Sequence, residues 1–375
     1  MRLRGAIPVL VLAALCVAMS FIPPAAKLAH DTGSFLRARV IETDDSQLTL
    51  TGLVEYGTQH LKVEMLEGPG KGRAFAATNE LRAQLDVDKK FSVGDTLTVT
   101  WPEGGAREGD VLVARDHWRL GWSYFLFGAF AVLLVVFGGW TGAKALFSFV
   151  FSCFAVWKLL VPLCLEGWSA SWISFATVSV LTGVIMYLVA GATRKGLSAF
   201  FGAMLGVGAS LVLAHFFARV MHVNGATMPY VQALVYSGFA DLDMADVFVG
   251  AVILASSGAV MDLAMDIAAG MAEVRRHIPN LPRFELFRSG MRIGRSVVGT
   301  MTTTLLLAYS GGYLTLLMVF AAQGTRPLDF LNSTLVAAEL VKTLVGSFGL
   351  VLVAPFTALV SAWIYRGGDL KEKNT

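Results

Sequence analysis

From residue 121 to residue 364 the chain repeats one pattern: an apolar run about twenty residues long, then a short polar break. A helix needs about 20 apolar residues to cross the hydrocarbon core of a bilayer. Runs that meet this length lie at 121–139, 145–165, 170–191, 197–218, 247–271, 297–321 and 343–364, and one more lies at 6–22 after the basic start Met1-Arg2-Leu3-Arg4. The reading is a polytopic α-helical membrane protein with about eight transmembrane helices. Composition agrees, because only 15% of the 375 residues are charged, against roughly a quarter in a soluble domain. So little charge cannot clothe a water-facing surface of this size. The net charge of +3 is too slight to point to nucleic acid. Cys16, Cys153 and Cys164 all lie in apolar runs with no CxxC or Cys/His spacing, so a secreted disulfide scaffold is excluded as well.

The basic residues orient the spans. With the N-terminus inside, the inner loops hold Lys144, then Arg194 and Lys195, then Arg275, Arg276, Arg283, Arg288, Arg292 and Arg295, while the loop 222–246 carries Asp241, Asp243 and Asp246 and no Lys or Arg. This follows the positive-inside rule and puts both termini in the cytoplasm. The charge-free stretch Gly5 to Ala26 lacks a convincing A-x-A cleavage site, so the first run reads as an uncleaved anchor, with a signal peptide as the alternative. The expected division is an anchor at 1–30, an extracytoplasmic domain at 31–116, a seven-helix bundle at 117–366 and a cytoplasmic tail at 367–375. In a bacterium this is a multi-pass protein of the cytoplasmic (inner) membrane.

The polar domain reads as short strands. Segments 37–41, 47–53, 61–65, 73–77 and 96–101 carry alternating or β-branched apolar residues, separated by turn residues such as Asp44-Asp45. Five short strands predict a small barrel of the OB or SH3-like kind. Residues 79–85 read as one or two helical turns. The run Gly68-Pro69-Gly70-Lys71-Gly72 has no GKS or GKT and no strand–loop–helix context, so it is a hairpin turn rather than a phosphate loop.

Ionisable groups inside the spans are the informative ones, since each is costly in hydrocarbon unless paired or hydrated. Asp262 and Asp266 are four residues apart and therefore share a helix face. Two close carboxylates repel, so one is expected to hold a proton or to share a cation. Met261 and Met265 have the same spacing on an adjoining face, either as soft ligands or as packing. Glu273 continues the acidic stripe. Ala251, Ala255 and Ala259 let another helix approach, and the expected neighbour is the 297–321 run with Thr300, Thr303 and Thr304. Gly311-Gly312 is expected to interrupt that run. The structural alternative is that Asp266 pairs with Arg275, Arg276, Arg292 or Arg295. Lys158, eight positions before Glu166, either snorkels outward or balances a buried carboxylate. His215, Arg219 and His222 form a metal site at the outer mouth or a solvated helix end. Gly202 and Gly206 read as a packing face.

The run Gly258-Ala259-Val260-Met261-Asp262-Leu263-Ala264-Met265 resembles the GAVMDVAM signature of the YibE/F-like bacterial membrane proteins, and Gly299-Thr300-Met301-Thr302-Thr303-Thr304-Leu305 resembles the family's GTMTNTL stretch, with Thr303 in place of Asn. Val345-Gly346-Ser347-Phe348-Gly349 and Pro355-Phe356-Thr357-Ala358 resemble its last span. The resemblance implies an anchor, an extracytoplasmic β-domain, a membrane bundle and a site to examine around Asp262.

Two function classes follow. The first is a transporter or permease for a cation, with Asp262 and Asp266 as carboxylates, Thr300, Thr303 and Thr304 as opposing oxygens and Lys158 as a further charge. A metal set of Asp262, Met261 and Met265 leans toward a transition metal such as manganese. The second is a non-transporting scaffold or sensor whose β-domain binds an extracytoplasmic partner. An enzyme is not expected, because HExxH, GxSxG and GxGD are missing from the sequence. No cofactor is expected. The expected partners are the lipid bilayer, a cation and a second copy or an extracytoplasmic protein, with no nucleic acid.

Overall fold

The computed structural model describes residues 33–85, 87–107 and 109–365. The expected anchor at 6–22 and the tail at 367–375 lie outside the described residues. The rest divides at Leu133/Leu134 into two compact units.

The first unit holds six strands: β1 (Gly33–Asp44), β2 (Leu48–Thr51), β3 (Val54–Met65), β4 (Ala74–Arg82), β5 (Thr96–Pro102) and β6 (Val111–His117). The order runs β1-β5-β6-β4-β3, and β1 also pairs with β3, so five strands close into a barrel while β2 hairpins onto β3. Alternation drives this. In β4, Phe75, Ala77, Asn79 and Leu81 are buried and the residues between them face outward, the period-2 pattern of a half-buried strand. Ala38, Val40, Leu61, Val63, Met65, Leu97, Val99 and Trp101 fill the barrel. All ladder pairings are antiparallel except β4 with β6, which pair in parallel over Ala76–Thr78 and Val111–Val113.

Two expectations need correction here. Residues 79–82 are not helical but extend β4. Asn79 occupies an inward position because its amide donates to Gln59 Oε1 at 3.2 Å, so a residue that favours turns is satisfied inside a strand. The sixth strand, β6, lies past the last strand read from the sequence. The Gly68–Gly72 run does form the β3–β4 turn, with Gly72 N–H donating to the Met65 carbonyl at 2.9 Å. Gly68 has φ of 77°, open to glycine at no steric cost.

The second unit is helical, and its first helix begins within the first unit. Helix α1 covers Leu120–Ala155, passes into a π-helical stretch Val156–Leu160 and continues as α2 (Val161–Leu165). Then come α3 (Ala170–Ala190), α4 (Arg194–Val220), α5 (Val231–Tyr236), α6 (Met244–His277), α7 (Arg283–Gly312), α8 (Leu314–Ala322), α9 (Pro327–Asn332) and α10 (Thr334–Ile364). Among the described residues five helical stretches are long and apolar enough to cross a membrane, or six if the pair α7–α8, bent by 65°, is one span. That bend falls at Gly311-Gly312, where the sequence places a break. Within α1, Gly139 adopts φ 54° and ψ −131°, which is not helical. A Cβ added at Gly142 would collide with the Leu134 carbonyl. Eight residues along a straight helix span about 12 Å, so the chain must turn sharply between these two positions.

Helices α4, α6, α7 and α10 enclose the core, with Val207, Val252, Val260, Leu263, Ile267, Met271, Leu350 and Val353 buried. Apolar burial gains little between lipid-immersed helices, so close approach at small residues matters instead. Gly202 sits on Thr357, and Gly206 meets Val353 so closely that an added Cβ would stand 2.9 Å away. The expected packing face therefore joins α4 to α10. Just past the C-terminal end of α10, buried Tyr365 donates its hydroxyl to the Ala268 carbonyl at 2.8 Å and lies 3.0 Å from Ser198 Oγ, tying α10, α6 and α4 together.

Candidate functional site

Helix α6 buries Val260, Leu263, Ala264, Ile267, Ala268 and Met271, spaced as one face of a 3.6-residue helix. Asp262 and Asp266 lie on the opposite face and are exposed. Ala251, Ala255 and Gly258 share that outward stripe. So Ala251 and Ala255 are not where α7 packs, while Ala259 is half-buried against the core. The contact with α7 is made nearer the C-terminal end of α6, where Gly290 of α7 lies against Met271, Gly270 lies against Ile293, and Gly294 faces Ile267.

These contacts pair the two helices antiparallel and set their register. Asp266 stands at the depth of Ser296, and Asp262 at the depth of Thr300. Thr303 and Thr304 lie one turn further toward the outer end. The predicted residues therefore share one outward region at neighbouring depths, although no hydrogen bond joins them among the described residues. Each threonine is satisfied within its own helix. Thr300 Oγ1 donates to the Val297 carbonyl at 2.9 Å, Thr303 Oγ1 to Gly299 at 3.1 Å and Thr304 Oγ1 to Thr300 at 3.0 Å. A hydroxyl whose proton is spent on the backbone keeps its oxygen lone pairs as acceptors. Beside the two carboxylates these threonine oxygens add further acceptors, which suits a cation or a proton.

Met261 and Met265 do not join it. They pack with Met186 of α3, Ala199 of α4 and Ala268, so their place in the structure is that of apolar fillers. Lys158 belongs to the π-helical stretch, which packs on α3, one helix removed from the carboxylates. Among the described residues no group of three or more His, Cys, Asp or Glu is placed to hold a metal ion.

Sequence reasoning missed two polar groupings. Where the N-terminal ends of α3 and α6 meet the C-terminal end of α4, Asp246 Oδ2 accepts from Ser169 Oγ at 2.8 Å and from the Ser171 N–H at 3.2 Å. His215 Nδ1 lies 3.1 Å from the Leu211 carbonyl, to which it donates. Nε2 is 3.4 Å from Ser171 Oγ and 3.5 Å from Asp246 Oδ1. His215 is thus engaged with Asp246 and Ser171 rather than with a metal. The available signal was Asp243, which caps α6 through the N–H groups of Ala245 and Asp246 and so places Asp246 in a helix rather than a loop. The other grouping is Glu339 with Lys342, 2.9 Å apart on α10, with Lys342 Nζ 5.8 Å from the centre of the Tyr309 ring. It was missed because the last span was started at residue 343, whereas α10 begins at Thr334.

The barrel has its own concave feature, a groove of about 710 Å³ lined by Phe35, Asn79, Arg82, Arg115, Trp118 and others. Its charges are largely balanced: Lys89 is 3.3 Å from Asp116, and Arg82 is 3.2 Å from Glu80. Away from the groove, Lys90 bridges Asp45 at 3.0 Å and Glu55 at 2.7 Å. The Lys90 ammonium, with the Gln59 amide, holds the Asp45 carboxyl below the usual carboxylate range.

A family model described as YibE/F-like protein matches residues 126–367. That range covers well over half of the chain, begins within α1 and leaves the strands outside. No curated protein and no solved structure matches the chain.

Proposed function

This chain belongs to the YibE/F-like family, and from that premise we propose that it is a multi-pass transporter or permease of the bacterial cytoplasmic membrane, with a cation as its substrate or coupling ion. The observation that carries this reading is the outward stripe of α6. Between Val247 and Ala272 the helix has no charge except Asp262 and Asp266. Each Asp costs roughly 2.5–3.5 kcal/mol near the centre of a membrane helix. Two at i and i+4 also repel. Binding a proton or a metal cation relieves both costs, and release restores them, which gives the site two states that an ion gradient can drive. The acceptor-only threonine oxygens at the same depths support oxygen coordination by a hard cation.

In this reading the pieces on either side of Gly139 cross separately. With the anchor at 6–22 this gives eight spans, the barrel outside and both termini in the cytoplasm. The basic residues Arg275, Arg276, Arg283 and Arg288 support that orientation. No nucleotide-binding motif occurs in the sequence, so coupling to an ion gradient or to a separate subunit is proposed.

A second reading, a scaffold or sensor, is favoured by the barrel groove with its exposed Phe35. Flux into proteoliposomes separates the two. The purified protein is expected to move at least one of protons, sodium, magnesium or manganese, and Asp262→Asn should lose that flux with an unchanged detergent melt. Equal flux in Asp262→Asn would remove the carboxylate from the mechanism and leave the groove as the functional surface.

A further inference from the structure

We infer that the outward face of α6 and α7 is an interface between two copies of this chain, and that the carboxylate site is completed only when the second copy is present. The argument rests on the bilayer placement proposed above and is independent of whether the protein transports.

Four charged side chains on this face have no ion-pair partner among the described residues: Asp262 and Asp266 on α6, and Arg292 and Arg295 on α7. All four are exposed. By contrast, Glu273, Glu285 and Arg288 at the inner ends of the same helices pair within their own helices. The helix register places Arg295 at nearly the depth of Asp266, with Arg292 about one turn further in. No ion pair joins the two charges within one chain among the described residues, and α6 and α7 meet through Ile267, Gly270, Ile293 and Gly294 instead. The face is therefore acidic along one edge and basic along the other, at matched depth.

That arrangement is self-complementary. A two-fold axis along the bilayer normal keeps every residue at its own depth and lays α6 of one copy opposite α7 of the next, so each contact occurs twice. Asp266 then meets the partner's Arg295 and Arg292, and Asp262 meets the partner's Thr300. An aspartate is too short to snorkel to the headgroups as arginine does, so lipid cannot take the partner's place at Asp262. The backbone permits the approach. A Cβ added at Gly258 or Gly299 would have nothing within 4 Å, although glycine costs helix stability of up to ~1 kcal/mol. Glycines in open space on the charged face leave room for a neighbouring helix at close range.

The test is disulfide trapping in native membranes. Two differently tagged copies are co-expressed with Cys16, Cys153 and Cys164 replaced by serine, one carrying Gly258→Cys and the other Thr303→Cys. Oxidation is expected to give a species of twice the chain mass that carries both tags. Asp266→Arg and Arg295→Asp should each abolish the cross-link, and the double variant should restore it, because charge is exchanged on both sides of the axis. Cross-linking to a different protein, or not at all, would overturn the inference, as would a double variant no better than the singles. If a charge reversal fails to insert, the small substitutions at 258 and 303 decide the matter alone. Transport is read separately by flux of the unsubstituted protein, so absence of flux there with an intact cross-link counts against the transporter and not against the interface.

Discussion

At the scale of single residues, the polar groups that decide this structure are those whose hydrogen bonds replace what the sequence pattern promises. Gln59 is the clearest case. Fully buried in the barrel, it donates to Asp45 Oδ1 at 2.9 Å and to the Phe91 carbonyl at 2.8 Å, while its Oε1 accepts from the Phe91 N–H at 3.1 Å and from Asn79. One amide thus holds the 83–95 connection onto β3 and β4. Gln59→Leu keeps the volume and leaves the Phe91 N–H and the Phe91 carbonyl unpaired indoors, while the Asn79 amide keeps its bond to the Lys89 carbonyl. It is expected to destabilise the domain by about 2–4 kcal/mol, since each buried orphan costs ~1–3 kcal/mol. A urea melt of residues 31–116 followed by circular dichroism measures this. A loss under ~0.5 kcal/mol, the range of a neutral surface change, would mean that water replaces the bonds. The same residue explains a limit of sequence reading. Asn79 looks like a turn residue because its amide competes with regular backbone structure. Only the fold brings Gln59 within reach of it. Asp262 was legible for the opposite reason, since a charge in an apolar run stands out without any partner being known.

At the scale of elements, periodicity revealed most helices, and the boundaries moved where charges pair locally. Helix α10 starts nine residues before the apolar run does because Glu339 and Lys342 satisfy each other one turn apart, so the polar stretch can be helical. The Gly311-Gly312 break was readable from the glycines themselves. The break in α1 was readable only as a short gap between two apolar runs, and its geometry was not. Gly139 lies in a region of φ and ψ that side chains rarely adopt, and Gly142 leaves no room beside the Leu134 carbonyl. Alanine would favour a straight helix by intrinsic propensity, by about 1 kcal/mol over glycine. Here it meets strain instead, of order 1–3 kcal/mol for a residue held in such a conformation. Gly139→Ala and Gly142→Ala are each expected to lower the melting temperature in detergent. A rise in either would show that residues 120–165 run as one unbroken helix in the membrane.

At the scale of the whole molecule, this break decides the path of the chain. A continuous helix from 120 to 165 would be about 69 Å long, more than twice the ~30 Å hydrocarbon core. Split at Gly139, the two pieces are each close to the length one crossing needs. The split has a consequence on the far side of α2. If both pieces cross, Glu166, exposed just past α2, returns to the side from which Leu120 started, which is also the side of the barrel. If 120–165 crosses once, Glu166 lies on the opposite side. The inner basic loop supplies the third reference, since Glu285 lies among Arg283 and Arg288, where the positive-inside rule expects cytoplasm. Single cysteines at Leu53, which is 93% exposed at the β2–β3 turn, at Glu166 and at Glu285 test all three in a background without the native cysteines. A membrane-impermeant maleimide is expected to label Leu53→Cys and Glu166→Cys on intact cells, and Glu285→Cys only after permeabilisation. Labelling of 53 without 166 would mean that the two pieces cross as one. Labelling of 285 on intact cells would reverse the orientation. In either case the depth of Asp262 would have to be counted from the other surface, and the pairing of Asp266 with a second copy's Arg295 would survive, because it depends only on both residues lying at one depth.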